Sequence, residues 1–170
     1  MPTPIRSTAL AAAFSLSAAL PAAAQDDAFV DFKALTPAVA LKAAQAALDH
    51  CSDLGYQAGI HVTDRSGTPQ VFIRARFAGA HVYETSYRKA WTAASFGIPT
   101  TDLAIETGPE SAASAIRQLS TALPLGGGLP IESGDGSLVG AIGVSGAPSP
   151  AEDDACAEAG IDAIFDDIAF

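Results

Sequence analysis

"AGIHVTDRSGTPQVFIRARF", residues 58–77, reads as two strands around a turn, and its alternation decides what the rest of the chain must pack against. Over 58–63, Ala58, Ile60 and Val62 fall on one side and Gly59, His61 and Thr63 on the other. Successive strand residues point to opposite faces, so this period of two makes one apolar face and one mixed face. "DRSGTP", 64–69, has turn composition, and alternation resumes with Val71, Ile73, Ala75 and Phe77 against Phe72, Arg74 and Arg76. The hairpin carries His61, Phe72, Arg74 and Arg76 on its second face, which is expected to be a half-solvated sheet surface.

Helices flank this hairpin. Upstream, Thr36 suits an N-cap, Pro37 a first turn, and Gly55 the position just past a helix end. Leu41, Ala44, Leu48 and Cys51 share a stripe at helical spacing, which points Cys51 inward, while His50 complements the dipole in the last turn. Downstream, "AGAHVYETSYRKAWTAASF", 78–96, opens with His81 and becomes a helix with Tyr83, Tyr87, Ala90 and Ala94 on one stripe, ending before Gly97 and Pro99. Two shorter helical pieces follow at 99–107 and 109–119. "LPIES" and "SLVGAIGVS" then read as strands around the turn "GDG", with Gly140 and Gly143 leaving room for a close neighbour. A last helix opens with a capping box over Ser149, Pro150, Ala151 and Glu152 and carries Cys156 inward with Ala159 and Ala163. The element order predicts an α+β sandwich: an antiparallel sheet with helices packed against it.

Composition sets the surroundings in which that fold works. The first 24 of the 170 residues hold one charge, Arg6, then an apolar run, then Ala22, Ala23 and Ala24, the pattern of a cleaved signal peptide. The run is too short and alanine-rich for a membrane span, and nothing later replaces it. Residues 25–170 are one domain's worth of chain, with neither an internal repeat nor a dividing linker, and their expected location is periplasmic or secreted. The whole chain is −10; without Arg6 it keeps eight basic and 19 acidic residues, or −11. Such a surface repels phosphate backbones, which argues against a nucleic-acid partner. In an oxidising compartment Cys51 and Cys156 are expected to pair, joining the first and last helices, although two buried free thiols also fit the spacing.

Several chemistries have no support. "GGG" at 126–128 lacks the lysine and the strand-loop-helix setting of a phosphate loop, "GVSG" is not followed by the helix of a nucleophile elbow, and no zinc motif occurs. Glu152, Asp153, Asp154, Asp166 and Asp167 read as solvated acidic faces. Three histidines remain as ligands for a soft metal or haem iron: His50, His61 and His81. His81 follows the turn "FAGA" and precedes a helix bearing Tyr83, Tyr87 and Trp91, a setting in which imidazole reaches an iron while the macrocycle lies on aromatic surface. A plain helix start explains the same position.

The stretches "VTDRSGTPQVFIRARFAGAHVYETSYRKAWTAASFGIPT" and "GGGLPIESGDGSLVGAIGVSGAPSPAEDDACAEAGI" resemble the GlcG/HbpS-like haem-degrading or haem-binding family over about Leu35 to Ile164. The motifs carrying the resemblance are Asp64 with Gly67, the helix segment Arg88, Lys89, Ala90, Thr92 and Ala93, then Gly127, Gly128, Pro130 and Ile131, then Gly140 with Gly143–Gly146, and Asp153 with Cys156. The resemblance implies a profilin-like α-β-α fold, homo-oligomers and a haem cofactor, with iron ligation that differs among members. It makes His81 the leading iron ligand. Arg76, Arg88 and Lys89 become candidates for the propionates, since guanidinium and ammonium groups match carboxylates. Gly127 and Gly128 would let backbone approach a flat ligand, or serve turns only. Lys89 could equally pair with an internal carboxylate. The function expected is that of an exported haem-binding protein, a scavenger, buffer or sensor accessory; a small enzyme on an organic ligand, or a non-catalytic oligomeric binding module, is the alternative.

Overall fold

The computed structural model describes residues 30–170, so the leader expected at 1–24 lies outside the described residues. Helix α1 (Pro37–Asp53) leads into the hairpin β1 (Gly59–Asp64) and β2 (Pro69–Arg74). Helices α2 (Val82–Phe96) and α3 (Thr100–Glu106) and a 3-10 turn (Ser114–Gln118) follow. Strands β3 (Gly128–Glu132) and β4 (Leu138–Ser145) and helices α4 (Pro150–Asp162) and α5 (Phe165–Ile168) complete the body. The strands form one antiparallel sheet in the order β2-β1-β4-β3, with helices on both faces, the α+β sandwich expected from the element order.

Local chemistry explains where α1 begins: Thr36 is extended and its hydroxyl accepts from the Val39 amide, while Pro37 occupies the first turn. The face α1 buries differs from the expected stripe. Ala40, Ala43, Ala44, Ala47 and Cys51 are inside, whereas Leu41 is half exposed. Small side chains there let α1 approach the sheet and α4 closely; Gly160 of α4 has no room for a Cβ against the Ala43 carbonyl. Cys51 and Cys156 form the disulfide that ties the two helices together. With Ile60, Val62, Ile142 and Val144 beneath them, they make the main core. Burying each of those branched side chains stabilises the fold by about 1.5–3 kcal/mol.

The opposite face of the sheet is not half solvated as expected. Helix α2 lies across it, and Gly59, His61 and Thr63 are as buried as their apolar neighbours. Gly143 makes this packing possible: a Cβ there would meet the Ser86 carbonyl and, at 2.6 Å, the Ala90 amide nitrogen of α2. Strand β2 also stops at Arg74, so Arg76 and Phe77 belong to the turn before α2 rather than to the strand. Ser149 is the N-cap of α4, but its side chain makes no capping bond, so the expected capping box is not formed. The side chains that α4 buries are Asp153, Cys156 and Ala157, not Ala159 or Ala163.

Candidate functional site

His81 occupies the N-cap of α2 with helical backbone angles (φ −64°, ψ −26°), and its side chain makes no capping bond. Gly79, two residues earlier, lets the imidazole lie over the turn, since a Cβ at 79 would sit 2.7 Å from the ring. The ring is exposed. It stands on the wall of a cavity of about 490 Å³ between the start of α2, the end of β4 and the loop into α4. Thr85 and Lys89 continue that wall along α2, Ser145 and Ala147 face them, and Leu125 and Pro148 add apolar surface. A volume of this order is typical of cofactor and small-ligand sites.

The cavity is built around a buried ion pair. Lys89 Nζ donates to Asp153 Oδ2 at 2.7 Å and to the Val144 carbonyl at 3.0 Å, with the two side chains only 2 and 7% exposed. Asp153 Oδ1 accepts from the Ala147 amide at 3.0 Å, which fastens the β4–α4 loop to the first turn of α4. Burial lifts the Asp153 carboxyl above the ordinary carboxylate range, against the pull of the Lys89 ammonium. Gly127, at φ +108°, packs its backbone directly against the pair, where no side chain would fit: a Cβ there would lie 2.9 Å from Lys89 Nζ and 2.7 Å from Asp153 Cβ. Asp154, the next residue, accepts from the Gly127 amide and from Thr101 Oγ1. Asp153 and Asp154 are therefore tied into the fold rather than forming the solvated acidic face expected of them.

His61 has a closed environment. Its ring stacks on Phe72 at 4.5 Å, meets the edge of Tyr83 at 5.1 Å, and Nδ1 lies 2.8 Å from Ser86 Oγ. Ser86 has one hydroxyl proton, and it goes to the Val82 carbonyl. Nδ1 must then carry the imidazole proton and donate to Ser86. Burial lowers the pKa from its ordinary 6.5 to about 4, so this ring is neutral at physiological pH. His50 sits exposed in the last turn of α1, as expected.

The remaining site residues separate. Lys89 and His81 share the cavity, whereas Gly127 and Gly128 pack against Lys89 and do not line it. Arg88 points elsewhere, donating to the Thr121 and Ala122 carbonyls and lying 3.6 Å from Glu84. Arg76 is exposed in the β2–α2 turn, and only its carbonyl is engaged, by Arg74. Sequence reasoning missed Thr85, Ser145 and Asp153 as cavity residues. Ser145 ends the glycine-rich β4 motif and Asp153 opens the cysteine-bearing helix, so both stood in motifs already noted without a partner to give them meaning. Among the described residues no three His, Cys, Asp or Glu side chains come together as a metal site.

Comparison with known proteins agrees with this architecture. The family model for haem-degrading HbpS-like proteins matches residues 35–162. The crystal structure of a double mutant of Streptomyces reticuli HbpS is 36% identical, covering 85% of this chain and 97% of that one, with a TM-score of 0.75. PduOC, solved as a complex with heme, is 28% identical over 77% of this chain and 95% of that one, with a TM-score of 0.71. Protein ORFY of Klebsiella pneumoniae, 24% identical over 81% of this chain and 94% of that one, has the same fold at a TM-score of 0.77. No curated protein sequence matches the chain.

Proposed function

Because the chain belongs to the family of haem-degrading HbpS-like proteins, we propose that it binds haem in the cavity at the start of α2, with His81 as iron ligand, and acts as an exported haem scavenger or buffer. The observation carrying this reading is an exposed imidazole, free of any capping bond, on the wall of a cofactor-sized cavity. The other histidine of this face, His61, is closed in by Phe72, Tyr83 and Ser86. His81 would hold the haem through a ring nitrogen, and the group would supply an iron for ligand binding and redox chemistry there.

This chain's own residues account for the rest. Leu125, Ala147 and Pro148 offer apolar surface to a macrocycle. Arg76, exposed in the same connection as His81, is the cation best free to meet a propionate, since Arg88 is committed to two carbonyls. Export is supported by the composition of residues 1–24 and by the disulfide, which persists in oxidising compartments. Self-association is supported by Phe77 and Tyr83, large side chains left 78 and 58% exposed.

Hemin titrated into the apoprotein should give a saturable Soret band. His81→Ala is expected to shift that band and weaken binding at least about tenfold, or about 1.4 kcal/mol. Identical spectra in the variant would remove His81 as ligand, and no Soret change in the native protein would remove the function.

A further inference from the structure

We propose that Ser145, Thr85, His61 and Ser86 are positioning residues for His81: two hydrogen-bond relays from the sheet hold the first turn of α2, so that the imidazole keeps its place on the cavity wall. The inference rests on the haem reading, which gives His81 a ligand to meet.

His81 stands where a helix frays, at the N-cap, and its own side chain makes no capping bond. Its hold on the helix is its carbonyl, which accepts from the Thr85 amide at 3.0 Å and from Thr85 Oγ1 at 2.9 Å. Thr85 has one hydroxyl proton, and that carbonyl takes it. Thr85 Oγ1 therefore accepts from Ser145 Oγ, 2.7 Å away at the end of β4. The next residue repeats the arrangement. Ser86 Oγ donates to the Val82 carbonyl and accepts from Nδ1 of His61 on β1, at 2.8 Å.

A hydroxyl bonded to the carbonyl four residues back is an ordinary helix contact. Here two consecutive hydroxyls each also receive a donor from a strand. β1 and β4 are paired neighbours, Gly59 opposite Ser145 and His61 opposite Gly143, so both relays start from one stretch of sheet. Both anchors are buried, at 1% exposure for His61 and 6% for Ser145, which keeps water from replacing either bond. The His81 ring rests on the backbone of Gly79, so holding this turn holds the ring. Thr85 and Ser145 line the cavity, but their protons are spent within the relay. Their effect on a ligand passes through His81.

The test uses the full chain and hemin. Thr85→Val keeps the shape and removes the hydroxyl. It is expected to weaken hemin binding about three- to tenfold, the contribution of one net hydrogen bond, and to broaden the ferric EPR signals as the imidazole samples several orientations. Thr85→Ser restores the hydroxyl and should restore both. Ser145→Ala should weaken binding too, yet add nothing on top of Thr85→Val, because the two act through one relay. In His81→Gly complemented with free imidazole the ligand no longer hangs from the backbone, so Thr85→Val should then change nothing. Equal affinity and spectra for Thr85→Val and the native protein would overturn the inference. The same loss in the imidazole-complemented protein would also overturn it, by making Thr85 a ligand contact or a support of the fold. In the haem-free protein the residue-85 amide, which donates to the His81 carbonyl, should exchange with solvent faster in Ser145→Ala, and an unchanged rate counts against the relay. A native protein without a Soret change, or one whose Soret band His81→Ala leaves unmoved, ends the haem reading and this inference with it; a His81-dependent band indifferent to Thr85 ends this inference alone.

Discussion

Replacing Lys89 by methionine removes one member of a buried ion pair while keeping most of its apolar length. Both side chains are almost fully inside, at 2 and 7% exposure, and the contact is 2.7 Å. The variant leaves the Asp153 carboxylate buried with only the Ala147 amide as partner. Breaking a buried pair from one side costs about 3–5 kcal/mol, a large share of the 5–15 kcal/mol that holds a typical domain together. Urea denaturation at neutral pH, extrapolated linearly to water, measures the loss. Adding Asp153→Asn removes the stranded charge and keeps an oxygen for Ala147, so the double variant should lose at least about 2 kcal/mol less than the two single losses combined. The pH dependence has a definite sign. Burial already raises the Asp153 carboxyl, and removing Lys89 takes away the group that lowers it. A raised acid penalises the fold above its folded pKa and is relieved by protonation, so the deficit of Lys89→Met should shrink as pH falls toward the carboxylate range. A loss below about 1 kcal/mol, or strictly additive variants, would refute this account of the pair.

Two further expectations follow from the α2 face. His61 is lowered from 6.5 to about 4 by burial, so its stabilising contribution is whole above 6.5 and is lost as pH falls through 4, by at most about 3 kcal/mol before solvent screening. Acid unfolding of His61→Phe should lack this part of the slope, and parallel curves for variant and native protein would count against it. Gly143→Ala should lower stability by about 3 kcal/mol, because the new Cβ meets backbone of α2, the Ser86 carbonyl and the Ala90 amide, which cannot rotate away. An unchanged thermal midpoint would mean that α2 does not lie this close to β4.

The elements with a local cause were legible. The period of two around "DRSGTP" located the hairpin because side-chain direction in a strand is set by the strand itself. Thr36 and Pro37 located the start of α1 because capping chemistry acts within one turn. The inward setting of Cys51 and Cys156 also followed from helical spacing, and the two meet as the expected disulfide. The family motifs pointed to the residues of α2, β4 and α4 that surround the cavity.

What the sequence alone determined, then, is the order of elements, the strand alternation behind the sheet and the acidic character of the chain, which follow from composition and from neighbours within a few residues; the pairing of Cys51 with Cys156, 105 residues apart, stayed open until the fold brought them together. Tertiary structure decided which polar residues are inside. His61 reads as half solvated until α2 crosses over it, and that crossing depends on Gly143, 82 positions along the chain from His61. Asp153 reads as one more surface acid until Lys89, 64 residues away, reaches it. The meaning of a buried charge lies in its partner, and a partner brought by folding leaves no period in the sequence.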